Sequence, residues 1–204
     1  MKKTLIVLIS AVAFMFAACT KSNDNNQYLQ PHDANRMMDT MHAIMSRMDA
    51  IPKTNVPEID FTTMMIMHHQ GAINMAKVEL EAGKNDSLKR TAQKIIAEQQ
   101  AEIEHFNAIL PTLNRDNVDP AFTMEQMNNM MKMGKAADVQ LITGDIDNDF
   151  ATLMIPHHQA AIDNASAYLH HGNHAELKSM ANSIVTSQTM EIQELADWLK
   201  VNRR

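Results

Sequence analysis

The chain has one cysteine, Cys19, among 204 residues, so no internal disulfide can form. Aromatic residues make up only 4% of it, and it holds five glycines and six prolines. So few turn formers, with few clusters of β-branched residues, argue against an all-β fold. A basic excess is also missing. The formal net charge is −6 and no basic stripe occurs, which argues against a nucleic-acid partner. The apolar run from Leu5 to Phe16 is too short to span a bilayer as a stable helix. Against these shortages stand 19 methionines and ten histidines. Methionine is not a common residue of ordinary globular domains, so its count is the main anomaly.

Residues 1–19 have the build of a lipoprotein signal peptide. Lys2 and Lys3 form a positive start, Leu5 to Phe16 an apolar centre, and Phe16-Ala17-Ala18-Cys19 resembles a lipobox. The expectation is export, with Cys19 acylated as the mature N-terminus and an anchor in the outer membrane of the cell envelope or periplasm. Thr20, not Asp, follows the cysteine, so the usual signal for inner-membrane retention is absent. An ordinary signal peptide cut near Ala18 is the other reading. Residues 20–30 are polar and read as a tether. Residues 20–57 together form a tether and a Met-rich helix, which spans Pro31 to Ala50. On that helix Met38, Met41, Met45 and Met48 step by three and four, one stripe of an α-helix flanked by Met37 and His42.

The rest of the chain, residues 58–204, is organised around a stretch that occurs twice. Asp60 to Leu80 reads DFTTMMIMHHQGAINMAKVEL, and Asp149 to Leu169 reads DFATLMIPHHQAAIDNASAYL. The register is ungapped, with an offset of 89 that also matches Gly83 to Gly172, Gln99 to Gln188 and Glu102 to Glu191. Each copy is predicted to be a helix hairpin. Repeat 1 covers 58–110, a linker with a short Met-rich helix covers 111–145, and repeat 2 covers 146–200. Gly83 ends one helix, Asp86 or Ser87 caps the next, and Pro111 stops it. Two hairpins predict an all-α, antiparallel four-helix bundle, with the Met-rich N-terminal and linking helices packed outside.

Within that bundle, Gln99, Glu102, Gln188 and Glu191 fall on apolar stripes. A buried carboxylate needs a partner. His69 and His158 sit centrally in the facing stripes, so a buried layer is expected in which they bond to the Gln and Glu of the paired helix. Adjacent helical residues point about 100° apart, so His68 turns aside, near Met64, Met65 and Met75, and His157 near Met154. Pro156 removes a backbone hydrogen bond just before His157 and is expected to open the second site more than the first. Two readings stand for the histidine pairs: metal ligands, or polar groups that hold helix register. Two stand likewise for the Met stripes: core filling, or a site. Thioethers are soft, carry no proton and prefer Cu(I), so an exported protein without thiols could hold soft metal through Met and His.

Glu102 and His105 have the Glu-x-x-His spacing of di-iron carboxylate bundles, but the second copy has Glu194 where His105 stands. His170, His171 and His174 cluster at the second hairpin turn and read as a solvated group.

The segments Met65 to Ala76 and Met154 to Ile162, with their downstream Gln and Glu-Ile positions, resemble the family called domain of unknown function 305 over residues 58–200. The resemblance implies a ferritin-like four-helix fold. Some exported members are similar to Met- and His-rich copper carriers involved in copper tolerance. Asn164 stands where the family motif usually has Met, while Met75 keeps it in the first copy. No catalytic residues come with the family.

The expectation is a copper-binding protein that is not an enzyme. Cu(I) is the main metal, with Cu(II) also at the His sites. Its ligands are drawn from His68, His69, Met65, Met75, His157, His158, Met154, Met38, Met41, His42, Met45 and Met48. Its partners are the metal ion, the membrane through its lipid, and a metal-exchange protein. A di-metal oxidase or ferroxidase, and a metal-free structural module of the envelope, remain as alternatives.

Overall fold

The computed structural model of the protein describes residues 29–202; Cys19, the expected signal segment and most of the expected tether lie outside them. Six α-helices follow in order: α1 (Arg36–Asp49), α2 (Pro57–Ala82), α3 (Asp86–Ile109), α4 (Pro120–Asp138), α5 (Ile146–His171) and α6 (Ala175–Asn202). No strand occurs among the described residues. None of these helices is long and apolar enough to cross a membrane.

Local chemistry sets the ends. The first helix begins at Arg36, later than the sequence suggested, because Asn35 is its cap: the side-chain oxygen accepts from Met37 N and Met38 N, both at 3.0 Å. Pro31 instead precedes a short 3-10 turn at His32–Ala34. The expected end of the tether is docked, since Gln30 N donates to Ile142 O at 2.7 Å. Asn85, neither Asp86 nor Ser87, caps α3 by accepting from Ser87 N and Leu88 N. Asp119 and Asp145 cap α4 and α5 in the same way. Gly83 and Gly172 end α2 and α5 with extended backbone. Their use is space: a β-carbon would collide with the Glu79 carboxylate at one and with the Tyr168 ring at the other.

The four-helix bundle is α2, α3, α5 and α6. The hairpins α2–α3 and α5–α6 pack side by side through α2 and α5, which run antiparallel. α1 lies on α2 and α4 lies on α5, each also touching the other hairpin. The offset of 89 therefore reaches further than the two hairpins. It maps α1 onto residues 125–138, all of α4 but its first turn, and both end in an aspartate, Asp49 and Asp138. Each half of the bundle is thus a three-helix unit.

The halves share one device at the start of their long helices. Asp60 accepts from Thr54 N at 2.8 Å, Thr54 Oγ1 at 2.7 Å and Asn55 N at 3.0 Å, and Asp149 accepts from Thr143 N, Thr143 Oγ1 and Gly144 N at 2.8–3.0 Å. Asn55 and Gly144 have φ of 59° and 78°, a left-handed turn that Asn and Gly adopt most readily. The remaining capacity of each carboxylate ties in an outer helix: Thr123 on α4 donates to Asp60, and Asn35 before α1 donates to Asp149, both at 2.8 Å.

The hairpin turns are closed reciprocally. Asp147 of the second half accepts from Lys84 N and Asn85 N of the first, each at 2.9 Å. Glu58 of the first half accepts from Asn173 N of the second at 2.8 Å.

Candidate metal centre

Apolar burial in the bundle falls into two clusters. One joins Ala72, Met75, Leu88, Ile95, Leu153 and Leu195, and the other joins Phe61, Met65, Phe106, Ala161, Tyr168 and Ile184. On all four bundle helices the break between them falls at the same polar residues: His68 and His69, Gln99 and Glu102, His157 and His158, Gln188 and Glu191. The polar positions thus form one layer across the bundle.

The layer has an inner and an outer part. His69 Nε2 lies 2.6 Å from Glu102 Oε2, and His158 Nε2 lies 3.0 Å from Glu191 Oε2. These contacts are close but off the line of an ideal N–H···O bond. Glu102 keeps 23% of its side chain exposed, whereas Glu191 keeps 2% and has Lys94 Nζ 3.7 Å away. Burial pushes the Glu191 carboxyl up, but the His158 imidazole and Lys94 more than offset that and leave it below the usual carboxylate range. The amides of Gln99 and Gln188 are buried beside these pairs and make no hydrogen bond, contrary to the expectation that they would share the histidines.

The inner part is His68 and His157. The two rings, equivalent in the repeat, meet with centroids 3.7 Å apart at a tilt of 35°. Both residues are fully buried, and none of their four ring nitrogens has a hydrogen-bond partner. Burial, reinforced by the other histidines of the layer, holds both pKa values well below the ordinary histidine range. The rings are therefore neutral and keep free lone pairs. His157 Nε2 approaches the backbone of Gly71, where a β-carbon would lie 3.1 Å from it. α5 runs through Pro156 without a break. The expected opening of the second site is not there, because His157 is as buried as His68.

Buried polar atoms without partners are costly, and a native structure rarely keeps four together. Lone pairs on neutral imidazoles are what a soft or borderline metal takes. Met65 and Met154 precede His68 and His157 by three residues on the same helix faces, and Met75 follows His68 two turns on. All three methionines are fully buried. Among the described residues no three His, Cys, Asp or Glu side chains converge on one point. The donor set on offer is a pair of imidazoles completed by thioethers.

The other candidate residues are placed apart. On α1, Met38, Met41 and Met48 face the apolar core with Met37, and Met45 packs at its edge against Gly134 of α4. His42 points outward and pairs with Asp138 at 3.0 Å. His105 turns to Glu176 at 2.7 Å while Glu102 turns to His69, so the Glu-x-x-His spacing does not converge on a common ligand. His171 bonds Asp119 at 2.7 Å, and His174 accepts from Leu177 N, so the turn cluster serves loop and cap. Sequence reasoning placed Met64 near His68 and Met127, Met130 and Met131 on the Met-rich linking helix without assigning them to a site; in the structure they line a cleft between α1, α2 and α4. Extending the offset of 89 into the linker would have aligned Met127 and Met130 with Met38 and Met41.

The family model described as Domain of unknown function (DUF305) matches residues 12–110 and 58–199. Among solved structures, the chain is similar to CopM in the Ag-bound form, at 26% identity and a TM-score of 0.56, covering 72% of this chain and 97% of that one. It is similar to CopM in the Cu(I)-bound form at 28% identity and a TM-score of 0.54, covering 70% and 95%. A DUF305 protein from Streptomyces coelicolor shares the fold at 22% identity and a TM-score of 0.57, covering 72% and 93%. No curated protein matches the chain.

Proposed function

The chain belongs to the DUF305 family, and from that premise we propose that it is an exported copper-binding protein that sequesters or hands over Cu(I) through His and Met. The observation that carries the reading is the close, tilted pair His68 and His157, whose four buried ring nitrogens have no partner. The sequence led to one site in each repeat. The antiparallel crossing of α2 and α5 favours a single centre shared by both. Its ligands are His68 and His157, with Met65 and Met154 on the same faces.

The outer pairs suit a supporting role. A carboxylate beside Nε2 of His69 or His158 holds the proton there and fixes the ring, as carboxylates do behind metal-binding histidines. Nδ1 of each ring is left buried and free. Copper is cargo in this reading, and no residue is assigned a catalytic role. That CopM is known in Cu(I)-, Cu(II)- and Ag-bound forms supports the metal class. The signal segment and lipobox support export and an anchor at Cys19.

The test is a Cu(I) titration under reductant, against a competing chelator, for the wild type and for His68→Leu and His157→Leu. Each single substitution is expected to abolish the same bound equivalent. Two variants that each lose only part of the copper would show separate sites, and variants with unchanged affinity would overturn the assignment.

A further inference from the structure

Repeat equivalence pairs α1 with α4, but the two Met-rich helices are not buried alike. Met38 and Met41 on α1 are fully enclosed, whereas their equivalents Met127 and Met130 line an open cleft of about 210 Å³ between α1, α2 and α4. Met127 and Met131 are 46% and 53% exposed. Met48 and Met64, both nearly buried, complete the lining.

Two differences between the halves accompany the asymmetry. Near the enclosed methionines, His42 on α1 pairs with Asp138 on α4. The equivalent positions beside the cleft hold Met131 and Asp49, which cannot form that pair. Asn164 adds to the difference. It stands where the first half has Met75, and its amide donates to the Met130 sulfur at 3.3 Å, fixing that thioether. One sulfur lone pair remains for a ligand.

Charge at the cleft does not select a cation. Asp49 and Lys53 lie together at its rim, and the Lys53 ammonium is held by the carbonyls of Met48 at 3.2 Å and Ile51 at 2.7 Å. The Asp60 carboxylate at the base is fully occupied by its four donors. Five neutral thioethers remain, and such a set discriminates by softness. Met64 also precedes His68 by four residues on one face of α2, so the cleft floor lies one helical turn from the buried pair.

We propose that this cleft is a surface capture site for a soft monovalent cation, bound by Met64, Met127, Met130 and Met131 and distinct from the His68/His157 centre. The inference rests on the copper-binding reading and adds to it the residues that first meet the metal.

The experiment uses Ag(I), which needs no reductant, and the full chain labelled at its methionine methyl groups. On titration, the methyl signals of Met64, Met127, Met130 and Met131 should move, while those of Met37, Met38 and Met41 stay. The triple variant Met127→Leu, Met130→Leu, Met131→Leu keeps side-chain volume. It should bind one Ag(I) fewer, or bind that equivalent about tenfold or more weakly, while staying folded, with any loss of thermal stability traced to the Asn164 amide that Met130 no longer accepts from. The double variant His68→Leu, His157→Leu should keep the cleft equivalent. Unmoved methyl signals at the cleft, or a triple variant that binds like wild type while the His variant does not, would overturn this site and leave the copper-binding reading standing. A wild-type chain that binds no Ag(I) would overturn both.

Discussion

His68 and His157 occupy the same position in the two repeats, and their rings face each other at a centroid separation of 3.7 Å with no hydrogen bond to either. Neutral rings in a dry, unpaired setting are a burden on the metal-free fold. Replacing both with leucine is expected to raise the urea midpoint of the metal-free protein, by about 1–2 kcal/mol in stability. Added Cu(I) should then stabilise only the wild type. A double variant less stable than the metal-free wild type would show that the pair contributes to packing.

The outer pairs should respond in the opposite sense and unequally. His158→Ala leaves Glu191, which is 2% exposed, with only the partly exposed Lys94 ammonium 3.7 Å away, and should cost about 2–4 kcal/mol. His69→Ala leaves Glu102 able to reach water and should cost about 1–2 kcal/mol. Chemical denaturation of both variants at neutral pH measures the difference. Equal losses would mean that exposure of the carboxylate does not govern the cost.

Glu79 gives the fold a pH dependence of unusual sign for a carboxylate. Its pKa is raised to about 8, first by burial and then by the neighbouring Asp147 carboxylate. A group with a raised folded-state value stabilises the fold fully below its unfolded value, about 4.5, and that contribution is lost as pH rises through about 8. Glu79→Gln should therefore be more stable than wild type at pH about 8.5, by about 1–3 kcal/mol, and close to neutral at pH about 5. Thermal unfolding of the two proteins across that interval decides it. Parallel curves would remove Glu79 as the cause.

Cys19→Ser is expected to move the protein from the membrane fraction to the soluble fraction of the cell envelope. Fractionation with detection of the bound lipid checks this. Unchanged membrane association would rule out the lipid anchor.

Much of this architecture is legible in single helices. The ends at Gly83 and Gly172 follow from glycine's place after a helix, and the stripes of α3 and α6 and the placing of His69 and His158 opposite Glu102 and Glu191 follow from 3.6-residue periodicity. What periodicity cannot supply is which faces of different hairpins meet. The meeting of His68 with His157 depends on the antiparallel crossing of α2 and α5, so the sequence led to two sites. The kinship of α1 and α4 was hidden for another reason. Few residues match across it, and Met45 is replaced by Gly134. In the structure these two equivalent residues touch, and a β-carbon on Gly134 would collide with the Met45 methyl group. Identity is lost there because two copies of one side chain cannot share that space.

The reciprocal closure of the hairpin turns has a consequence for how the chain holds together. Glu58 seals the turn of the second half and Asp147 seals that of the first, so neither half satisfies its own backbone alone. Residues 114–116, which join the halves, are exposed. A protease cut there would remove chain connectivity without removing a cap. The two pieces should stay bound as a non-covalent heterodimer and, once separated by denaturant, fold only in each other's presence. Covalent linkage would then be a matter of local concentration, while the mutual caps make the halves a single cooperative unit.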